Sequence, residues 1–291
     1  MQLGIIPQIP EASLLHHFGG KTQLAKWTNN IISFAIAKYR ISPIRYGEVF
    51  GGEFAVGMRR IPMDGDFYNE INPNTFNFMM VLKTQTDELI EKIYSLPWET
   101  VEGRHAAFRW AEAAIYYERG VPACKVEWAT AYYTYCRLGF IGGGSRWSGG
   151  ISPSRVEGMG PHPENWLRQF AFRMQNVELL NLDFEQALRR KAHPNAVFYW
   201  DPPYAMESRA SRDSRHKSAA KPRRQYLYEL SEARFQEMPL LVQSTPGLHI
   251  IAGYQCNLTD RLFGSWQRFD KGATDLAKNK RVESLWIFKT A

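Results

Sequence analysis

A five-residue run, Ala196-Val197-Phe198-Tyr199-Trp200, stops at Asp201-Pro202-Pro203-Tyr204. The run is short, apolar, aromatic and β-branched, and it follows His193-Pro194-Asn195, so it reads as a buried strand. Two prolines, each without an N–H and with φ fixed, end the ladder there and stiffen the turn. Pro203 also keeps Pro202 out of the helical region. A rigid turn at the carboxyl end of a buried strand is where open α/β sheets place their ligands. This one presents a carboxylate, backbone carbonyls without neighbouring donors, and a flat ring. The set suits a planar amine. The Asp201 carboxylate and the Pro202 carbonyl can accept one amine proton each, which leaves the nitrogen lone pair free to face an electrophile. Tyr204 can stack on the ring that carries the amine. The same four residues also make a plain strand-ending turn with an aromatic plug, so the rest of the chain has to decide.

The surrounding pattern alternates helix and strand. Thr22 to Ala37 has helical apolar spacing, Arg45 to Phe50 is a short strand, and Ala55 to Arg60 resumes a helix. Asp66 to Ile71 is a second strand. A helix over Pro73 to Lys83 has Asn72 as its cap and Pro73 at its first position. Residues 84–165 change character, with helices over Asp87 to Tyr94, Arg104 to Arg119 and Lys125 to Leu138. A stretch rich in Gly, Ser and Arg follows, from Gly139 to Gly160. Alternation returns with helix Trp166 to Met174, strand Val177 to Asn181, helix Phe184 to Lys191 and the strand at 196. Helix Glu232 to Ser244 and strands His249 to Gly253 and Val282 to Lys289 close the chain. The expected fold is α/β, with a mostly parallel sheet and helices on both faces. Residues 1–83 and 166–291 form one domain, and 84–165 a helical insertion.

At 291 residues there is ample material for a core. No apolar stretch approaches the roughly 18 residues of a membrane span. The first residues carry no basic region ahead of an apolar run, so no signal peptide is expected and a cytoplasmic location is. Cys124, Cys136 and Cys256 are too scattered for a disulfide framework or a zinc site, and no metal is expected. The net charge of +7 is local. Arg209, Arg212, Arg215, Lys217, Lys221, Arg223 and Arg224 stand against Asp213 alone, which concentrates +6 in one segment. Interspersed serines and Pro222 make it a loop. It is either a solvated basic loop or a phosphate-contacting one, and its place after the 201–204 turn favours phosphate contact.

Other candidates are weaker one by one. Phe18-Gly19-Gly20-Lys21 precedes a helix, a setting that favours anionic groups, but Leu15 stands where a P-loop needs glycine and no strand precedes it. Glu48-Val49-Phe50-Gly51-Gly52-Glu53-Phe54-Ala55 is a strand, a glycine turn and a helix. Glu70 follows about twenty residues after that turn, the usual spacing for a carboxylate that holds ribose hydroxyls, although taken singly a surface acid at a strand end is the better reading. Asp183 ends the strand before the 196–200 run, and is equally a helix N-cap for Phe184 onward. No Ser-His-Asp, Cys-His or metal constellation stands out.

In order and spacing these pieces resemble the Dam-type family of adenine-N6 DNA methyltransferases, from about residue 14 to the end. The matching segments are His17 to Lys21, Glu48 to Ala55, Asn69-Glu70-Ile71-Asn72-Pro73, Arg137-Leu138-Gly139-Phe140 and Asp201 to Tyr204. Tyr226, Glu229-Leu230, Gly253-Tyr254 and Arg281 to Ile287 complete the pattern. The resemblance implies a Rossmann-like methyltransferase fold, S-adenosylmethionine as methyl donor, and no metal. Its cofactor-binding segments would contain His17, Phe18, Gly19, Gly20, Lys21, Glu48, Phe50, Gly52, Glu70, Asp183 and Asp201. Within them, Gly19, Gly20 and Lys21 would approach the methionine end and His17 would pack on the cofactor. Phe50 and Gly52 would floor the pocket, Glu70 would hold the ribose and Asp183 the adenine amine. Asp201, Pro202, Pro203 and Tyr204 would hold the target base, and residues 84–165 would recognise the DNA sequence.

Three positions depart from the family's pattern: His17 for an aromatic, Val49 for a proline, and Phe54 for the second glycine of the turn. Phe54 either narrows the cofactor pocket or packs behind it. The expected partner is double-stranded DNA, contacted by the basic segment and by Arg137, Arg146 and Arg155. A cognate restriction endonuclease is a candidate partner, and the chain is expected to be a monomer or weak dimer of bacterial or phage origin. Two alternatives stay open: a methyltransferase-like DNA-binding protein with weak or no catalysis, and a cytosine-N4 enzyme.

Overall fold

The computed structural model describes residues 9–16, 20–115, 125–139, 159–204, 229–274 and 280–290. The chain forms two compact units. One comprises Met1–Ala25, Gly52–Pro62 and Asn72–Asn181, the other Lys26–Gly51, Met63–Ile71 and Leu182–Ala291.

The second unit holds helix α1 (Ala25–Lys38, from its second residue) and strands β1 (Arg45–Glu48) and β2 (Phe67–Asn69). Strand β3 (Glu178–Leu180) belongs to the first unit. The second unit continues with β4 (Ala196–Trp200), β5 (Leu248–Tyr254), β6 (Gln267–Thr274) and β7 (Lys280–Lys289). Its six strands run in the order β2-β1-β4-β5-β7-β6. β1 pairs in parallel with β2 and β4, and β4 with β5, whereas β7 is antiparallel to both β5 and β6. The four parallel strands therefore end at one edge. All five residues of β4 are buried, as its unbroken apolar run requires between two parallel neighbours. Trp200 donates its indole N–H to Nδ1 of His249 on β5, 3.2 Å away, and the His249 ring stacks on Phe198 at 4.9 Å.

Among the first unit's helices are α2 (Ala55–Met58), α3 (Pro73–Thr84), α4 (Thr86–Tyr94), α5 (Val101–Ile115), α6 (Lys125–Leu138) and α7 (Glu164–Met174). Asn72 caps α3 by accepting from Asn74 N, with Pro73 at the first position as the sequence predicts. Helix α6, from the 84–165 stretch, packs on α3 with polar contacts: Thr75 with Tyr132 at 2.8 Å, and the Trp128 indole to Asn74 Oδ1 at 2.6 Å.

Two elements escape the sequence reading. Helix α10 (Asn257–Phe263) is two turns long and too short to show a period. β6 carries Gln267, Arg268, Asp270 and Lys271, a charged composition that suits an edge strand but not an apolar alternation. The remaining helices, α8 (Phe184–Lys191) and α9 (Glu232–Ser244), fall within the predicted bounds. In α8 the residues Phe184, Ala187, Leu188 and Lys191 form one buried stripe.

Candidate active site

In the second unit the site follows from register. Glu48 of β1 lies opposite Tyr68 of β2 on one side and Tyr199 of β4 on the other. Phe50, Glu70 and Asp201 each stand two residues beyond that line, so all three leave the sheet at the same edge. Asp183 is brought there by Asn69, the first residue of the matching segment 69–73, to which no individual role is assigned. The Asn69 side-chain amide donates to Val49 O at 2.9 Å and to Leu182 O at 3.1 Å, and its Oδ1 accepts from Leu182 N at 3.1 Å. One buried amide thus ties the exits of β1 and β2 to the turn that carries Asp183. The sequence includes Asn69 in the matching segment 69–73 but does not reveal this tie, because its two partner residues, Val49 and Leu182, are distant in the chain.

Phe50 is half-buried, with its ring 5.2 Å from Phe184 and 6.3 Å from Trp200. Gly51 has no room for a side chain, since a Cβ would meet the Tyr68 ring at 2.2 Å. Asp183 caps α8 by accepting from Glu185 N at 3.0 Å, and also bonds Arg234 at 2.8 Å. The helix-cap role of Asp183 is thus realised, and its carboxylate also has a cationic partner.

Carboxylates cluster around the end of β4. Glu48 is 3% exposed and accepts from the Tyr46 hydroxyl at 3.1 Å. Burial, reinforced by the charges of Asp201 and Glu48, pushes the Tyr199 phenol well above its usual range. Tyr204 is shifted the same way by burial, then by Glu283 and Asp201. The phenols therefore stay protonated, with acidic side chains around them. Pro202 is buried, Pro203 and Asp201 half-buried. The Tyr204 hydroxyl donates to Glu283 Oε2 at 2.9 Å, and the ring meets Tyr254 edge-on at 4.5 Å. Tyr254 and Glu283 face each other across the β5–β7 pair, an antiparallel register that spacing along the chain does not reveal. At 8% exposure, the Tyr204 ring is largely covered in this arrangement.

In the first unit, Gly20 is exposed and Lys21 buried. Glu53 staples the segment around them. Its carboxylate accepts from Thr22 Oγ1 at 2.7 Å, from Leu15 N at 3.3 Å and from the Ser13 hydroxyl. Gly52 takes φ 49° and Phe54 φ 56°, the left-handed region that favours the glycine the family carries at the second position. The Phe54 ring is fully buried, against Gly57, where a Cβ would meet it at 2.3 Å, and under the Arg173 guanidinium at 5.7 Å. Arg137 donates to Gly160 O at 2.9 Å and contacts His16 Nε2 at 3.4 Å. His17, Phe18 and Gly19 lie outside the described residues, as do Arg146, Arg155, Arg209, Arg212, Arg215, Lys217, Lys221, Arg223 and Arg224.

The family model of the D12 class N6 adenine-specific DNA methyltransferases matches residues 17–232, about three-quarters of the chain. The chain belongs to this family. None of the curated proteins matches it. The D12 match spans every candidate residue named above on β1, β2 and β4 and in the turn at 183, and stops in the first turn of α9. Tyr254, Glu283 and Arg234 lie beyond it. The family's reaction, methylation of adenine N6 in DNA, favours adenine over a cytosine-N4 target. Among the described residues, no group of three or more His, Cys, Asp or Glu can hold a metal ion, and no helix is long and apolar enough to cross a membrane.

Proposed function

We propose that this D12-class chain is a site-specific DNA methyltransferase that uses S-adenosylmethionine to methylate the N6 amine of an adenine rotated out of the duplex. The observation that carries the reading is the shared exit of Phe50, Glu70 and Asp201 from three parallel strands, with Asp183 tied in through Asn69.

The residues suit the cofactor's chemistry. Glu70 offers an acceptor for ribose hydroxyls and Asp183 one for an adenine amine. Phe50 supplies an apolar face, and Gly51 lets backbone rather than side chain line the turn. The negative field of Glu48, Asp201 and Glu283 suits a cation. When bound, S-adenosylmethionine supplies an electrophilic methyl on a positively charged sulfur.

A base inside a duplex is out of reach, so the target must flip, at about a few kcal/mol. Stacking on Tyr204 returns about 1–3 kcal/mol of that. The Asp201 carboxylate and the Pro202 carbonyl accept the two amine protons, which aims the nitrogen lone pair along the transfer line. The two prolines hold this geometry in advance, and orientation with a pre-arranged polar site supplies the acceleration. No nucleophilic side chain is needed. The methylated nitrogen is acidic and gives its proton to water afterwards. Residues 84–165 are assigned to sequence recognition, and the basic segment at 209–224 to phosphate contact.

The inactive-protein alternative rests on bulk at Phe54, and a ring with no exposed surface is not bulk in an open pocket. Nucleoside mass spectrometry of DNA from cells that express the chain tests the reading. N6-methyladenine is expected, and Asp201→Ala should lower its formation by more than 100-fold, on the order of a lost transition-state contact, while DNA affinity stays within about twofold of wild type. If wild type and mutant are equally inert, the chain is a binding protein.

A further inference from the structure

Arg234 lies two residues past the matched stretch, and no role follows for it from the family. Its Nη2 bonds Asp183 Oδ1 at 2.8 Å. Its Nη1 bonds Glu185 Oε2 at 3.2 Å and Glu237 Oε2 at 2.6 Å. The guanidinium carbon stands 4.6 Å from the centroid of the Phe184 ring, which is 5% exposed. A flat group that donates in-plane N–H to Asp183 while it covers Phe184 is making the two contacts that the amine edge and ring of an adenine would make. A guanidinium and an aminopurine share that chemistry: planar, delocalised, donors at the rim. They cannot both occupy one carboxylate oxygen and one ring face.

We propose that Arg234 competes with the adenine of the cofactor for Asp183 and Phe184, and so sets how tightly the nucleoside is held. The proposal rests on the reading above that Asp183 receives the cofactor's amine. Departure of the arginine is cheap. Its side chain is 33% exposed, and Glu237 sits three residues along the same helix. The charge therefore keeps a partner when it leaves Asp183. Exposed pairs of this kind are weak, so nucleoside binding can displace one.

The test is calorimetric titration of the full chain with S-adenosylhomocysteine. Arg234→Ala should tighten binding by about threefold or more, the worth of a half-exposed ion pair plus a freed ring face. An analogue with hypoxanthine in place of adenine, which has a carbonyl where the amine was, should show a smaller gain, that of the freed ring face alone. Arg234→Gln, which keeps the stem over Phe184, guards against a folding defect and should move in the same direction. Asp183→Asn preserves the helix cap and should weaken binding. If Asp183→Asn weakens binding while both Arg234 variants bind equally or more weakly than wild type, competition is wrong and the reading of Asp183 stands. If Asp183→Asn changes nothing, the reading of Asp183 fails and the competition falls with it.

Discussion

A phenylalanine at φ 56° is a conformational cost that glycine would not bear, on the order of 1 kcal/mol. At Phe54 the ring repays it by filling the space over Gly57 and under Arg173. Two glycines in the same turn region are thus used oppositely: Gly52 keeps the left-handed conformation without a side chain, and Gly57 gives up its side chain to the neighbour's ring. Phe54→Gly would relieve the strain but vacate a fully buried aromatic site, at about 3–5 kcal/mol. The net expectation is destabilisation by about 2–4 kcal/mol in urea unfolding, with the affinity for S-adenosylhomocysteine within about twofold of wild type. A Phe54→Gly protein that is as stable as wild type, or that binds the ligand tenfold more tightly, would put the ring in the pocket instead. The departure from the family's glycine is visible in the sequence. Its consequence is not, because Gly57 and Arg173 acquire their meaning only when α2 and α7 form.

At the scale of elements, β4 and β5 are joined by a histidine as well as by their ladder. His249 accepts the Trp200 indole N–H at Nδ1, and its Nε2 lies 2.9 Å from Thr245 O, so Nε2 carries the single proton and donates it. Burial holds its pKa down at about 4, and burial, aided by the Arg137 charge, holds His162 in the other unit at about 3. Both rings are neutral in the fold, whereas the unfolded chain takes up protons below about pH 6.5. Stability is therefore complete above that pH. It falls as pH drops towards 4, by about 1.4 kcal/mol per pH unit for each histidine. Urea midpoints measured between pH 7 and 4.5 should show this slope, and His249→Asn should remove about half of it. An unchanged slope would mean that the ring is already protonated in the fold. The strands themselves are legible in the sequence, because the apolar run at 196–200 and the alternation around it are local signals. The antiparallel β5–β7 partnership that sets Glu283 against Tyr204, and the Asn69 clamp on Leu182, depend on pairings between distant residues and leave no local trace.

For the whole molecule, charge is divided by task. The edge proposed for catalysis is acidic, with Glu48, Asp201 and Glu283 bearing on Tyr199, which suits a cation and repels a phosphate backbone. On that proposal, the phosphate contacts lie elsewhere. Outside residues 209–224 the chain is close to neutral, since that segment holds +6 of the +7 total. Arg137 is partly committed to Gly160 and His16, which leaves less of it for phosphate. The segment at 209–224 is thus proposed as the main source of non-specific attraction. Each phosphate contact it makes releases counterions and adds about 0.9 to the steepness of log affinity against log salt. Neutralising Lys221, Arg223 and Arg224 together should lower that slope by about 2 to 3 and weaken binding most at low salt. Fluorescence anisotropy with a labelled duplex across 50–300 mM salt, a range of about 250 mM that spans the usual screening regime, measures it directly. A slope that does not change would shift the phosphate contacts to Arg146 and Arg155. The basic segment would then be a solvated loop, with no part in bringing an anionic polymer to an acidic site.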